Sequence, residues 1–209
     1  MREYKPIKIA INALSGKVGG GLTGFQCLLP KLGEMTCSDE VTVLVSASQE
    51  TIRKNIPPHF KVYIAPFSTN QSIIRLVYEQ IVLPFLLFRW GTDLLYSVGN
   101  ATSLLAPCKI LLLVENASPY SNFTFSWSFA QRCRLKMLKV IGYFSMKRAN
   151  KVRFVSENSY KTLSDRFKFL QDKSIVITHG FSRIATEQQI YQNDDPFILT
   201  VSSVAPYKN

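Results

Sequence analysis

The chain repeats one alternation: a short apolar run, a break, and then a segment with apolar residues at helical spacing. Residues 5–12, 41–46, 60–65, 93–97, 109–115, 151–155 and 174–178 read as strands. Between them, Phe25, Leu28, Leu29 and Leu32 mark one helix, Ser48 caps a short one over 49–55, and 72–88 forms another that Pro84 kinks or ends. A further helix spans 122–150 with an interruption near Gly142, and a last one spans 160–170. The strands are apolar on both faces, so they must be covered on both sides. That predicts an α/β fold built on a doubly wound, mainly parallel, Rossmann-like sheet.

With 209 residues, 46% apolar and 19% charged, one well-buried core is expected. The longest apolar stretch, Ile81 to Phe88, is too short to span a bilayer, and the N-terminus shows no export signal, so a cytoplasmic protein is expected. Cys27, Cys37, Cys108 and Cys133 lack metal-ligand or disulfide spacing and read as buried thiols. No metal is expected. Phe197 to Val201, followed by Pro206, reads as the opening strand and turn of a further domain, with residues 183–196 as the linker before it. The first domain is therefore placed at 1–182, and the chain is expected to be the front part of a longer protein.

Ligands of doubly wound sheets sit at the carboxyl ends of the strands. This rim gathers Gly19, Gly20 and Gly21 after the first strand, Gly99-Asn100 after the fourth, Glu115-Asn116-Ala117-Ser118 after the fifth and Ser156-Glu157 after the sixth. The glycine run suits an anion, because backbone N–H groups and a helix N-terminus face it; it also suits a plain strand-to-helix turn. It matches neither dinucleotide nor P-loop spacing, and no acidic residue ends the second strand, which disfavours a nicotinamide cofactor. Glu115 to Ser118 reads as an Asx-type turn ahead of a ligand contact, and Ser156-Glu157 as a helix cap ahead of a contact. His179 follows a strand and reads as a turn residue before a ligand, and His59 as a surface residue.

The net charge of +11 is concentrated in one region. Between Asn116 and Ser156 no Asp or Glu occurs, while Arg132, Arg134, Lys136, Lys139, Lys147, Arg148, Lys151 and Arg153 do. Aromatic and aliphatic residues interleave with them. The mixture suits an anionic membrane surface, or equally a core helix with a solvated basic back. Nucleic acid is a weaker partner, because no nucleic-acid module accompanies the charge.

Taken together, Gly16 to Gly21 (GKVGGG), Asp93 to Leu104 (DLLYSVGNATSL), Leu111 to Tyr120 (LLLVENASPY), Ala149 to Leu163 (ANKVRFVSENSYKTL), Val176 to Ser182 (VITHGFS) and the last thirteen residues resemble the N-terminal half of a family 4 glycosyltransferase of the GT-B fold. The ordered set covers nearly the whole chain. The resemblance implies transfer of a sugar from a nucleotide-sugar, with retention at the anomeric carbon and without an essential metal. It implies that this half builds the acceptor side, that its glycine loop lies near the donor diphosphate, and that Lys208 helps neutralise that diphosphate. Ser203 stands where many members have arginine, and Glu115-Asn116 where many have His-Asp or His-Asn, so no histidine role carries over. The expectation is an acceptor-binding half for a lipid-linked or cell-surface glycan, peripheral at the inner membrane face and inactive by itself. The alternative is a non-catalytic membrane or acceptor-binding module that pairs with a separate donor-binding subunit.

Overall fold

The computed structural model describes residues 5–16, 20–36, 38–68, 72–120 and 129–178, without the side chains of Ser72, Ser118, Ala130, Gln131 and Arg134. The predicted linker and the strand at 197–201 lie outside the described residues. Seven strands form one parallel sheet: β1 (Lys8–Asn12), β2 (Glu40–Ser46), β3 (Lys61–Ala65), β4 (Leu94–Val98), β5 (Lys109–Val114), β6 (Lys151–Phe154) and β7 (Ser174–Val176). Their order is β3-β2-β1-β4-β5-β6-β7. The chain winds outward from β1 to one edge, returns, and winds outward from β4 to the other. The fold class is therefore Rossmann-like α/β, as the alternating pattern predicts.

Among the described residues, five α-helices connect the strands: α1 (Gly20–Met35), α2 (Glu50–Arg53), α3 (Ser72–Trp90), α4 (Phe129–Arg148) and α5 (Glu157–Ser164). On one sheet face Ile11, Val43 and Tyr96, neighbours in register, pack with Phe25 and Leu29 of α1 and Ile52 of α2. On the other, Ala10, Leu95, Leu112, Val152 and Phe154 pack with Leu83 and Leu87 of α3, Met146 of α4 and Leu163 of α5. Each fully buried Leu here contributes about 1.5–3 kcal/mol through its removal from water. Coverage of the two faces is unequal. Among the described residues, the α1 face lacks a helix over β6 and β7, leaving Ile175 and Ile177 about half exposed, where covering on both sides was expected.

Several predicted boundaries shift for identifiable reasons. Helix α1 starts at Gly20, inside the glycine run, rather than near Phe25. Helix α3 continues six residues beyond Pro84, because Leu83 and Leu87 are both fully buried and anchor its last turns. It stops at Gly91, whose φ of +62° is the left-handed conformation that glycine adopts at low cost. Helix α4 runs through Gly142 without interruption. The glycine is there for space: a Cβ would collide with the Tyr120 hydroxyl and come within 3.3 Å of the Asn100 carbonyl. The helix expected over 160–170 ends at Ser164, and a separate 3-10 turn, Lys168–Leu170, follows. That break lets the Phe167 ring meet Tyr120 and Tyr143 edge-on. The cysteines also differ from expectation: Cys27 and Cys133 are exposed and Cys108 is half-buried, with Cys37 outside the described residues.

Candidate functional site

The strand order reverses between β1 and β4, which remain parallel, so the crevice outside their carboxyl ends is the topological switch point. Its walls are the loops that follow those two strands, and side chains hold them in place. Gln49, buried behind β2, donates from Nε2 to the carbonyls of Ala13 and Gly16, both at 2.7 Å, and accepts from the Ser46 N–H at 2.8 Å. Ser15 donates its hydroxyl to the Val98 carbonyl across the switch. Gly99 follows with φ +91°; a Cβ there would sit 2.6 Å from Ser15 Oγ.

Asn100 continues the ties toward β5. Its Oδ1 accepts from the N–H groups of Glu115 (3.2 Å) and Asn116 (3.3 Å), and its Nδ2 donates to the Asn116 carbonyl at 2.5 Å. The structure thus brings together three predicted rim residues, Asn100, Glu115 and Asn116. Asn100 and Glu115 are half-buried and Asn116 is exposed.

Glu115 has one carboxylate oxygen buried and without a hydrogen-bond partner among the described residues. Burial pushes its carboxyl pKa up, and the Arg153 guanidinium opposes that. Arg153 also reaches the Tyr96 hydroxyl at 3.4 Å and the Ile177 carbonyl at 3.2 Å. The Tyr96 phenol is raised chiefly by burial, with Arg153 lowering it and Glu115 adding to the rise. Tyr96, Glu115 and Arg153 therefore form a charged cluster on the α1 face, beside an open apolar groove of about 230 Å³.

A second polar cluster lies on the opposite face and was not foreseen from the sequence. Asn12, at the end of β1, donates to Glu79 of α3 at 3.0 Å, and both are buried. Burial raises the Glu79 carboxyl pKa, against the opposing effects of Arg75 and the Asn12 bond. Next to it, the Ser97 and Thr102 hydroxyls share a 2.6 Å hydrogen bond, and Thr102 N–H donates to Ser145 Oγ of α4. The available signal was the one carboxylate of a largely apolar helix, paired with an Asn closing an apolar strand.

The other predicted residues distribute as follows. Gly20 and Gly21 lie in the first turn of α1, where a helix's own geometry gives backbone N–H groups no intrahelical partner. Gly19, His179 and Lys208 lie outside the described residues. Ser156 caps α5, accepting from Ser159 N–H at 3.2 Å, and Glu157 is exposed in the first helical turn. Arg132, Lys136, Lys147 and Arg148 are exposed on α4 and Lys139 is half-buried; Arg148 additionally donates to the Ala106 carbonyl at 2.6 Å. No helix among the described residues is long and apolar enough to cross a membrane.

No family model matches this chain, and no curated protein sequence does. Solved structures do match. One is HepE of Anabaena in complex with UDP and glucose, at a TM-score of 0.50 and 17% identity over 84% of this chain and 45% of that one. Another is a Listeria monocytogenes protein assigned as a UDP-N-acetylglucosamine 2-epimerase, at 0.52 and 13% over 79% and 43%. The likeness is one of fold. The chain shares its Rossmann-like α/β architecture with these two structures and spans less than half their length.

Proposed function

We propose that this chain is the acceptor side of a retaining, nucleotide-sugar-dependent glycosyltransferase that acts on a lipid-linked or cell-surface glycan at the inner membrane face. The observation that carries this reading is the built rim at the β1/β4 switch, set on a fold shared with a UDP- and glucose-bound protein. The neighbours are more than twice as long as the matched part, which supports placing the donor side in a further domain.

In this reading the first turn of α1, with Gly20 and Gly21, offers backbone N–H groups to the donor diphosphate. Gly19 and Lys208, from the family resemblance, complete that anion site. The acceptor hydroxyl oxygen replaces the nucleoside diphosphate at the anomeric carbon with its configuration kept, its proton passing to the departing phosphate, on which negative charge grows as the C–O bond breaks. Fixed positive groups are most effective there. Asn100, Glu115 and Asn116 contact the acceptor. The basic residues of α4 face an anionic membrane, and no metal takes part.

The test incubates the full gene product with labelled nucleotide-sugars and a lipid-linked glycan. Expected are label in the lipid fraction and, by NMR of the product, an unchanged anomeric configuration. Failure of transfer from every nucleotide-sugar, with no binding of UDP by calorimetry, overturns the assignment. Residues 1–209 alone are expected to give no turnover; transfer by them would remove the separate donor domain from the proposal.

A further inference from the structure

Helix α3 has a second apolar face that the rim does not use. Its inner side buries Leu83 and Leu87. Its outer side presents Ile73, Val77, Ile81, Phe85 and Phe88 at steps of four, four, four and three residues, which is one stripe along the helix. These side chains are 50–74% exposed. With Ile74 beside them, about half exposed, they form one contiguous apolar stripe rather than scattered single residues, the arrangement that marks an interaction surface. The one carboxylate of the helix, Glu79, points inward and is buried.

The patch continues onto neighbouring elements. Thr102 and Leu104 bond to Gln80 of α3, Thr102 also bonds to Ser145 of α4, and Leu105 in the same loop is 75% exposed. On α4, Val140 and Phe144 are about half exposed on the outer face that also carries Arg132, Lys136, Lys147 and Arg148. Both helices pack on the same side of the sheet. Charge selects the occupant. A second copy of this chain, itself carrying +11, would bring more positive charge against a basic-fringed surface, whereas an anionic bilayer matches both the apolar stripe and the fringe.

We infer that the outer face of α3, with Leu105 and the outer face of α4, lies in the interfacial layer of an anionic bilayer, its apolar stripe below the phosphates and its basic residues among them. This names the contact for the membrane partner proposed above and moves its centre from α4 to α3. It also fits the rim: α3 follows the carboxyl end of β3, so the stripe begins at the end of the sheet where the acceptor would bind.

The experiment is co-sedimentation of the full gene product, without nucleotide-sugar, on vesicles of phosphatidylcholine alone or with one-third phosphatidylglycerol. Binding to the anionic vesicles is expected. Phe85→Ser with Phe88→Ser should weaken it about tenfold per residue. Arg132→Gln with Lys136→Gln should weaken it about 30-fold on anionic vesicles only. All four side chains are exposed, and an unchanged melting temperature confirms the fold. Absence of wild-type binding overturns the inference. So does unchanged binding by the serine pair, particularly if that pair turns a concentration-dependent dimer into a monomer, which would assign the face to a second copy. Transfer to a water-soluble acceptor analogue separates the two proposals: vesicle binding lost with that transfer kept defeats only the membrane contact, and the converse defeats only the glycosyltransferase reading.

Discussion

Replacing Gly99 by alanine tests whether the switch point is as tightly built as its geometry says. Two penalties add. The backbone at φ +91° is a conformation L-residues rarely adopt, which costs about 1–3 kcal/mol. The new Cβ would also lie 2.6 Å from Ser15 Oγ and 2.9 Å from Ser15 Cβ. Ser15 is not free to retreat, since its hydroxyl is tied to the Val98 carbonyl, so overpacking adds about 1–3 kcal/mol. The expected loss is about 2–6 kcal/mol, or a melting temperature lower by about 5–20 °C at this chain length. Calorimetry or urea unfolding measures it. The double variant Ser15→Gly, Gly99→Ala isolates the clash: it should recover the overpacking part and retain the backbone part, giving a coupling of about 1–3 kcal/mol. A Gly99→Ala melting temperature within a degree of wild type, or strictly additive effects in the cycle, refutes the reasoning.

Other expectations concern named side chains at or near the rim. Burial raises the Glu79 carboxyl above its ordinary 4.5, so its contribution to stability is full below the unfolded pKa and is lost as pH rises through the folded value. Glu79→Gln keeps an acceptor for Asn12 and should flatten that decline in urea midpoints measured from pH 4 to 8; parallel curves for the two proteins would contradict it. Ser156→Ala removes a helix cap and should cost about 1 kcal/mol while leaving acceptor KM unchanged, whereas a KM rise without loss of stability would make Ser156 a ligand residue. Asn100→Ala removes three bonds to the 115–116 backbone and should raise the KM for the glycan acceptor more than it lowers kcat. A pure kcat effect would place Asn100 elsewhere in the reaction.

The strands were legible because their signal is local: each is a short apolar run, and burial on both faces of a parallel sheet demands that composition. Helix ends were less legible, because tertiary contacts decided them. Pro84 does not end α3, since the turns beyond it are anchored by Leu87, and Gly142 marks close approach of Tyr120 rather than a break, a contact between residues 22 apart in sequence. Asn100, Glu115 and Asn116 could be placed together on the rim from the sequence, because their places at strand ends suffice to locate them. Gln49 and Glu79 were missed, because each sits on a helix pattern and acquires its role only when the sheet brings it against another strand's loop. Exposure was hidden for the same reason. The apolar residues of α3 look alike in sequence, and only the packed structure separates Leu83 and Leu87, facing the core, from Ile81, Phe85 and Phe88, facing out.

The bonds at the rim form a chain with a direction. Gln49 ties the loop after β2 to the loop after β1, Ser15 ties that loop to the end of β4, and Asn100 ties the loop after β4 to the loop after β5. The series runs across four adjacent strands and crosses the switch point midway. Each tie is a side chain bonding a backbone group, so it sets the course of the loop itself. Ordering these loops is therefore a cost met during folding, which leaves more of the interaction free energy available when a ligand binds. Glu115, whose backbone belongs to this chain of ties, carries one carboxylate oxygen with no hydrogen-bond partner among the described residues. Glu115 as a residue is half-buried, and a carboxylate held on a rigid loop suits a hydroxyl donor, of which sugars present many. In the proposed reading the acceptor contact falls first on Glu115, whose carboxyl pKa burial pushes up and the Arg153 guanidinium opposes.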